Sequence, residues 1–162
     1  MFTKRLALLL AKCDKNIVFA ESCTGGLVAG ALSVVPGISA HLCGGVVVYR
    51  NETKSAYLGI SPRVLKTHGA VSGFVATLMA ERVLEKTPEA DLALSVTGHL
   101  GPQAPPELDG VVFIGIAARE KSRLSTAVQR FDCPPSLNRI QRQKLVVRQV
   151  HKLAIAYLEN CD

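Results

Sequence analysis

The chain has no tryptophan and only three tyrosines and five phenylalanines in 162 residues. So thin an aromatic supply leaves little with which to stack on bases. No apolar run reaches the ~20 residues that a membrane-spanning helix needs. The five cysteines, Cys13, Cys23, Cys43, Cys133 and Cys161, include no pair at metal-ligand spacing, so neither structural zinc nor any other metal site is expected. No Gly-x-Ser-x-Gly elbow is present, which argues against a hydrolase of that kind. The Lys-Ser/Thr tail of a phosphate loop does not follow Gly25-Gly26, which disfavours nucleotide triphosphatase activity. Internal repeats and linkers are missing too, so a single domain spanning 1–162 is expected.

Met1 to Lys12 faintly resembles a secretory leader. Its apolar stretch is short, Lys12 and Asp14 follow, and there is no small-residue cleavage site, so it reads as an amphipathic helix. An odd number of cysteines without a leader predicts reduced thiols in a cytoplasm, with no disulfides.

What the sequence does hold is a globular core: 48% of residues are apolar and 20% charged. The formal net charge of +6 favours an acidic partner. Part of that excess lies in Arg139, Arg142, Lys144, Arg148 and Lys152, opposed near the C-terminus only by Glu159 and Asp162. Such an array is either a binding face or the solvated side of a helix. No nucleic-acid motif accompanies it, and neither nucleic acid nor a membrane is expected as a partner.

Along the chain, hydrophobic periodicity predicts helix over 2–13, a buried strand over 16–21 and a helix over about 24–35, stopped by Pro36-Gly37. The continuous β-branched run from Cys43 to Arg50 suits a strand covered on both faces. Asn51 is expected to cap a short helix, Ser61-Pro62 to open another, and 73–87 to form a longer one. Strands follow over 91–97, 111–118 and 124–131, the last two as a hairpin. A long amphipathic helix over 139–158 presents Ile140, Val147, Val150, Ala154 and Leu158 on one side. The alternation predicts an α/β fold, a three-layer α/β/α sandwich on a mixed, mostly parallel sheet.

Four polar clusters fall at predicted strand ends or turns: Glu21-Ser-Cys-Thr24, Tyr49 to Lys54, Gly69-Ala-Val-Ser72 and Thr97-Gly-His99. Ligands of open α/β sheets gather beyond the carboxyl ends of strands. In the first cluster a strand turns directly into a helix, offering hydroxyls and bare amides to an anion or developing oxyanion. Ser22 reads either as an exposed nucleophile or, like Thr24, as a helix cap. Lys54 is a base if its pKa is depressed, or else a solvated helix lysine. Tyr49 lies where it can relay a proton or orient the serine. Cys23 is a second nucleophile candidate, though a small buried thiol is the commoner outcome. His99 is a general base or a polar loop residue.

Taken together, Ala20-Glu-Ser-Cys-Thr-Gly-Gly26, Tyr49-x-Asn51-x-x-Lys54, Gly69-Ala-Val-Ser72 and Ser95-Val-Thr-Gly98 resemble the C-terminal domain family of the competence/damage-inducible protein CinA. The likeness runs over about residues 5–158. Members acting as nicotinamide-nucleotide amidases hydrolyse nicotinamide mononucleotide to nicotinic acid mononucleotide and ammonia. The resemblance implies that Ser22 attacks the carboxamide, that Lys54 and Tyr49 manage its proton, and that amides near Cys23, Thr24, Gly25 and Gly26 hold the oxyanion. It implies a nucleotide pocket lined by Glu21, Asn51, Ser72, Thr97, Gly98 and His99, with Arg139 or Arg142 meeting the phosphate. No cofactor is implied, and a homodimer or larger homo-oligomer is expected. The resemblance also implies the stand-alone form, without the molybdopterin-binding-like domain of longer CinA proteins. The chain departs from the family at His99 and Asp109, where a small apolar residue and a proline are usual, and lacks an arginine in register after Phe131.

Overall fold

Apolar runs without a polar break become the inner strands, and the amphipathic segments between them become the covering helices. The computed structural model describes residues 2–121 and 123–160. In chain order the elements are α1 (Phe2–Cys13), β1 (Ile17–Glu21), α2 (Leu27–Ser33), β2 (Leu42–Val47), α3 (Asn51–Leu58), α4 (Pro62–His68), α5 (Gly73–Glu85), β3 (Leu92–Gly98), β4 (Val111–Glu120), β5 (Arg123–Asp132) and α6 (Arg139–Glu159). Single 3₁₀ turns lie at Ile38–Ala40 and Pro106–Leu108. The five strands form one sheet in the order β2-β1-β3-β4-β5. β1 is parallel to β2 and β3, whereas β4 runs antiparallel to both β3 and β5.

The alternation of side chains along a strand decides which helix layer each residue meets. Ile17 and Phe19 of β1 join a core with Leu6 and Leu10 of α1, Val28 and Leu32 of α2, and Val146 and Val150 of α6. Val18 and Ala20 turn the other way, to Leu58 of α3, Leu65 of α4, and Met79 and Val83 of α5. The result is the expected three-layer sandwich. Gly115 sets the distance of α5 from the sheet, because a Cβ there would drive into the carbonyl of Ala76. The Ser95 hydroxyl donates to that same carbonyl at 2.5 Å.

Four local expectations are corrected. β2 is a half-buried edge strand, since it pairs only with β1 and the sheet order leaves its other side open. It ends at Val47, after which Val48 donates its N–H to the Glu21 carbonyl (2.8 Å) and packs inward, leaving Tyr49 turned out. Helix α2 begins at Leu27 and not at Thr24, because Gly25 and Gly26 take left-handed φ values of 61° and 97°. Asn51 is the first residue of α3 and not its cap; the Thr53 hydroxyl accepts from the Arg50 N–H at 3.1 Å. On α6, Ile140 is exposed, and Val146 replaces it in the buried stripe.

β1 sits between β2, reached over α2 on one face, and β3, reached over α5 on the other. The crossover leaving β1 and the one leaving its neighbour β2 therefore pass to opposite faces, diverging from the adjacent carboxyl ends of these strands and leaving a crevice there, the topological switch point of an open sheet.

Candidate active site

Ser22 is the first residue beyond β1, and its N–H donates to the Val96 carbonyl of β3 at 2.9 Å. The chain then turns sharply, with Gly25 N–H returning to the Ser22 carbonyl at 3.1 Å. Lys54, on the first turns of α3, reaches under this bend. Its Nζ lies 3.0 Å from Ser22 Oγ and donates to the Val48 carbonyl at 2.9 Å, with the Tyr49 carbonyl at 3.5 Å. The Ser22 hydroxyl also faces that Tyr49 carbonyl at 3.5 Å, a weak contact.

Lys54 is only 1% exposed, and among the described residues no carboxylate lies within ion-pair distance of it. Burial pushes its pKa below the ordinary lysine value of 10.5, against a smaller upward pull from Cys23. The buried amine is thus biased towards the neutral form, in which it can accept a proton from the serine.

Ser22 and Lys54 open onto a crevice of about 530 Å³, within the range of small-ligand sites. One wall carries Cys23, Tyr49 and Asn51 beside the pair; the β3 end contributes Thr97, Gly98 and His99, and Arg139 enters from α6. Burial raises the Cys23 thiol to about 12, so it is held protonated and is a poor nucleophile. The Tyr49 phenol is turned outward: the residue is 53% exposed, and its hydroxyl accepts from Arg139 at 2.7 Å. What Tyr49 offers Ser22 and Lys54 is its main-chain carbonyl. Arg139 also donates to the Gly101 carbonyl at 2.5 Å, so that its guanidinium spans two sides of the crevice on neutral acceptors.

The other expected contacts are not among the residues that line the crevice and are corrected as direct contacts. Glu21 is 2% exposed and points into the turn, accepting from Thr24 Oγ1 (2.6 Å) and from the amides of Gly26 (3.0 Å), Val28 (3.0 Å) and Ala29 (2.9 Å). Thr24 is committed to that carboxylate, and Gly25 and Gly26 are spent on the bend. The Ser72 hydroxyl caps α5 by accepting from Val75 N–H at 3.2 Å. Arg142, 5% exposed, grips both carboxylate oxygens of Asp109 at 2.7 and 3.0 Å from beneath the loop.

The Gly69-Ala-Val-Ser72 cluster contributes its first three residues, whereas the loop and helix groups that follow act through backbone or apolar surface and escaped sequence reasoning. Gly69, Ala70 and Val71 form one wall, with the Thr97 hydroxyl fixed on the Ala70 carbonyl at 2.8 Å. The roof is Leu100 to Ala104 together with Leu108. Gln143 of α6 donates to the Cys23 carbonyl at 3.2 Å, and only the spacing of that helix could have hinted at it. No group of three or more His, Cys, Asp or Glu suited to a metal occurs among the described residues.

Fold and site together define an α/β domain with a buried serine–lysine pair at its switch point. A family model, the CinA C-terminal domain, matches residues 1–158, and the chain belongs to that family. A putative competence-damage inducible protein of Caldicellulosiruptor bescii is 45% identical over 114 residues, 69% of this chain and 28% of that protein. One from Alkaliphilus oremlandii is 39% identical over 138 residues, 84% of this chain and 32% of its own length. The chain thus spans about a third or less of these longer relatives. Among solved structures, the competence damage-inducible protein A of Klebsiella pneumoniae superposes with a TM-score of 0.91 at 26% identity, covering 99% of this chain and 97% of that one. The competence/damage inducible protein CihA of Agrobacterium tumefaciens gives 0.86 at 32% identity, covering 98% and 94%.

Proposed function

We propose that the protein is a serine amidase that hydrolyses the carboxamide of nicotinamide mononucleotide, releasing ammonia and the acid. The observation that carries this reading is the 3.0 Å contact between Ser22 Oγ and a buried Lys54 that has no counter-ion among the described residues. A neutral amine whose own N–H groups are directed at main-chain carbonyls has its lone pair available for the serine proton.

In this mechanism Ser22 Oγ bonds to the amide carbon as its proton passes to Lys54 Nζ. The carbonyl oxygen takes the negative charge and is stabilised by main-chain N–H groups of the turn. Lys54 returns the proton to the departing nitrogen as the C–N bond breaks, and ammonia leaves an acyl-serine. Water then attacks the ester, passing a proton to Lys54; the acid departs and Ser22 recovers its hydrogen. Tyr49 acts through its carbonyl and, at the crevice mouth, through its bond to Arg139. Arg50 and Arg139 line the crevice and supply positive charge suited to a phosphate. No step requires a metal or cofactor, and the free thiols of Cys13, Cys23, Cys43 and Cys133 suit a reducing cytoplasm.

Ammonia release from nicotinamide mononucleotide is the direct test. Ser22→Ala and Lys54→Ala are each expected to lower kcat by about 10³-fold or more, with little further loss in the double variant, since the two act as a unit. Full activity in either single variant discards the mechanism. A second reading, an amidase for another carboxamide, is favoured by His99 at the pocket wall and by the Asp109–Arg142 pair under its roof. Faster hydrolysis of a phosphate-free amide would select it.

A further inference from the structure

The turn after β1 exposes several amides, yet the protein itself occupies most of them. Glu21, the last residue of β1, directs its carboxylate back under the bend and takes four donors: Thr24 Oγ1 and the N–H groups of Gly26, Val28 and Ala29. Gly25 and Leu27 donate to the Ser22 and Thr24 carbonyls at 3.1 and 3.2 Å. Among the described residues, no acceptor on another residue takes the N–H of Cys23 or Thr24. The Cys23 carbonyl is meanwhile anchored by Gln143, which limits rotation of the peptide that carries the Thr24 N–H.

We propose that Glu21 is a positioning residue which fixes the oxyanion-binding turn, leaving the Cys23 amide, the one of the two on a crevice-lining residue, as the donor for the substrate oxygen. The proposal rests on the amidase reading and narrows it, because the amides of Gly25 and Gly26 are excluded as oxyanion donors. The chemistry demands a carboxylate at this position. Three peptide N–H groups and a hydroxyl converge on two oxygens, and only an acceptor with no hydrogen of its own satisfies all four. A glutamine keeps the shape but turns an NH₂ towards donors; an aspartate is a methylene short. Hydrogen bonds to a charged acceptor are about twice as strong as neutral ones, which suits a bend that must not relax as charge develops beside it.

The experiment compares Glu21→Gln, Glu21→Asp and Thr24→Val with the wild-type protein. It measures kcat and KM for ammonia release from nicotinamide mononucleotide, with folding checked by circular dichroism and melting. Loss of preorganised oxyanion binding predicts a fall in kcat of about 10²-fold or more for Glu21→Gln, with KM within about twofold of wild type. Partial recovery in Glu21→Asp supports the assignment. A kcat within threefold of wild type in a folded Glu21→Gln protein overturns it, as does a rise in KM alone, which would make Glu21 a substrate contact. Should Glu21→Gln not fold, Thr24→Val carries the decision. It removes one donor of the four and is expected to lower kcat about 10-fold at unchanged KM; an unchanged kcat overturns the proposal.

If the wild-type protein releases no ammonia, the amidase reading fails by itself, and the turn is read by another reaction. With an alkyl fluorophosphonate, Ser22 Oγ forms an O–P bond, fluoride leaves and the serine proton passes to Lys54, placing the phosphoryl oxygen at the same amide. Slower labelling of Glu21→Gln than of wild type supports the positioning role, and equal rates, or no labelling of either protein, overturn it.

Discussion

An ammonium as deeply buried as that of Lys54 loses hydration worth roughly several kcal/mol, and no carboxylate among the described residues offsets it. The folded protein therefore holds this proton less tightly than the unfolded chain, where lysine titrates near 10.5. Between the lowered value and 10.5 the unfolded state binds more protons, so stability rises with pH across that window; below it the burial penalty is present in full. The proposed mechanism requires the neutral amine, so kcat/KM should climb with pH through the same lowered value and level off before 10.5. Lys54→Met removes the penalty along with the base. It is expected to abolish ammonia release and to gain about 1–3 kcal/mol at neutral pH, an advantage that shrinks as the pH approaches 10.5. Urea unfolding at several pH values measures this. A Lys54→Met protein less stable than wild type at neutral pH would mean that the lysine supports the fold.

At the scale of elements, the first turn of α6 governs the crevice roof. Asn138 caps the helix, accepting from Gln141 N–H at 3.0 Å, and the turn it starts directs Arg139 to the Gly101 carbonyl and Arg142 to Asp109. The Arg142 guanidinium holds the Asp109 carboxyl below its ordinary 3.8, so this strap is lost only as pH falls through that lowered value and stays intact at neutral pH. Asp109→Asn should loosen the roof and raise KM by about tenfold, with a smaller change in kcat. Unaltered kinetics would mean that the loop holds its shape without the strap. The strap also marks where sequence reading stops. The strands at 17–21 and 92–98 and the hairpin at 111–132 were legible, because β-branched runs and turn residues act locally. Ser22, Lys54 and Arg139 could be picked out by residue type and place. The inward turn of Glu21, the outward turn of the Tyr49 ring and the descent of Arg142 beneath the loop were not legible. Each depends on which helix packs behind the strand end, and that partner is distant in the chain; local sequence points Glu21 at the substrate and Tyr49 at the serine's proton, whereas Glu21 binds the turn and the Tyr49 hydroxyl binds Arg139.

For the molecule as a whole, the order β2-β1-β3-β4-β5 puts the divergence of crossovers beside Ser22, and Arg50 and Arg139 bring positive charge to that opening. Within the crevice, Arg139 rests on a carbonyl and a phenol, which leaves its charge uncancelled, whereas Arg142 is neutralised by Asp109. Arg50, the other arginine at the mouth, has its charge partly offset by Glu52 at 3.4 Å. A doubly charged phosphate entering this field gains attraction that salt screens over about 8–10 Å at ordinary ionic strength. Raising salt from low to near-molar concentration should therefore lower kcat/KM for nicotinamide mononucleotide by about tenfold while hardly altering that for the uncharged nicotinamide. Arg139→Ala should weaken the first dependence and leave the second as it was. Equal salt sensitivity for the two amides would show that the crevice does not read the phosphate, and would turn the substrate assignment towards a neutral carboxamide while leaving the chemistry of Ser22 and Lys54 in place.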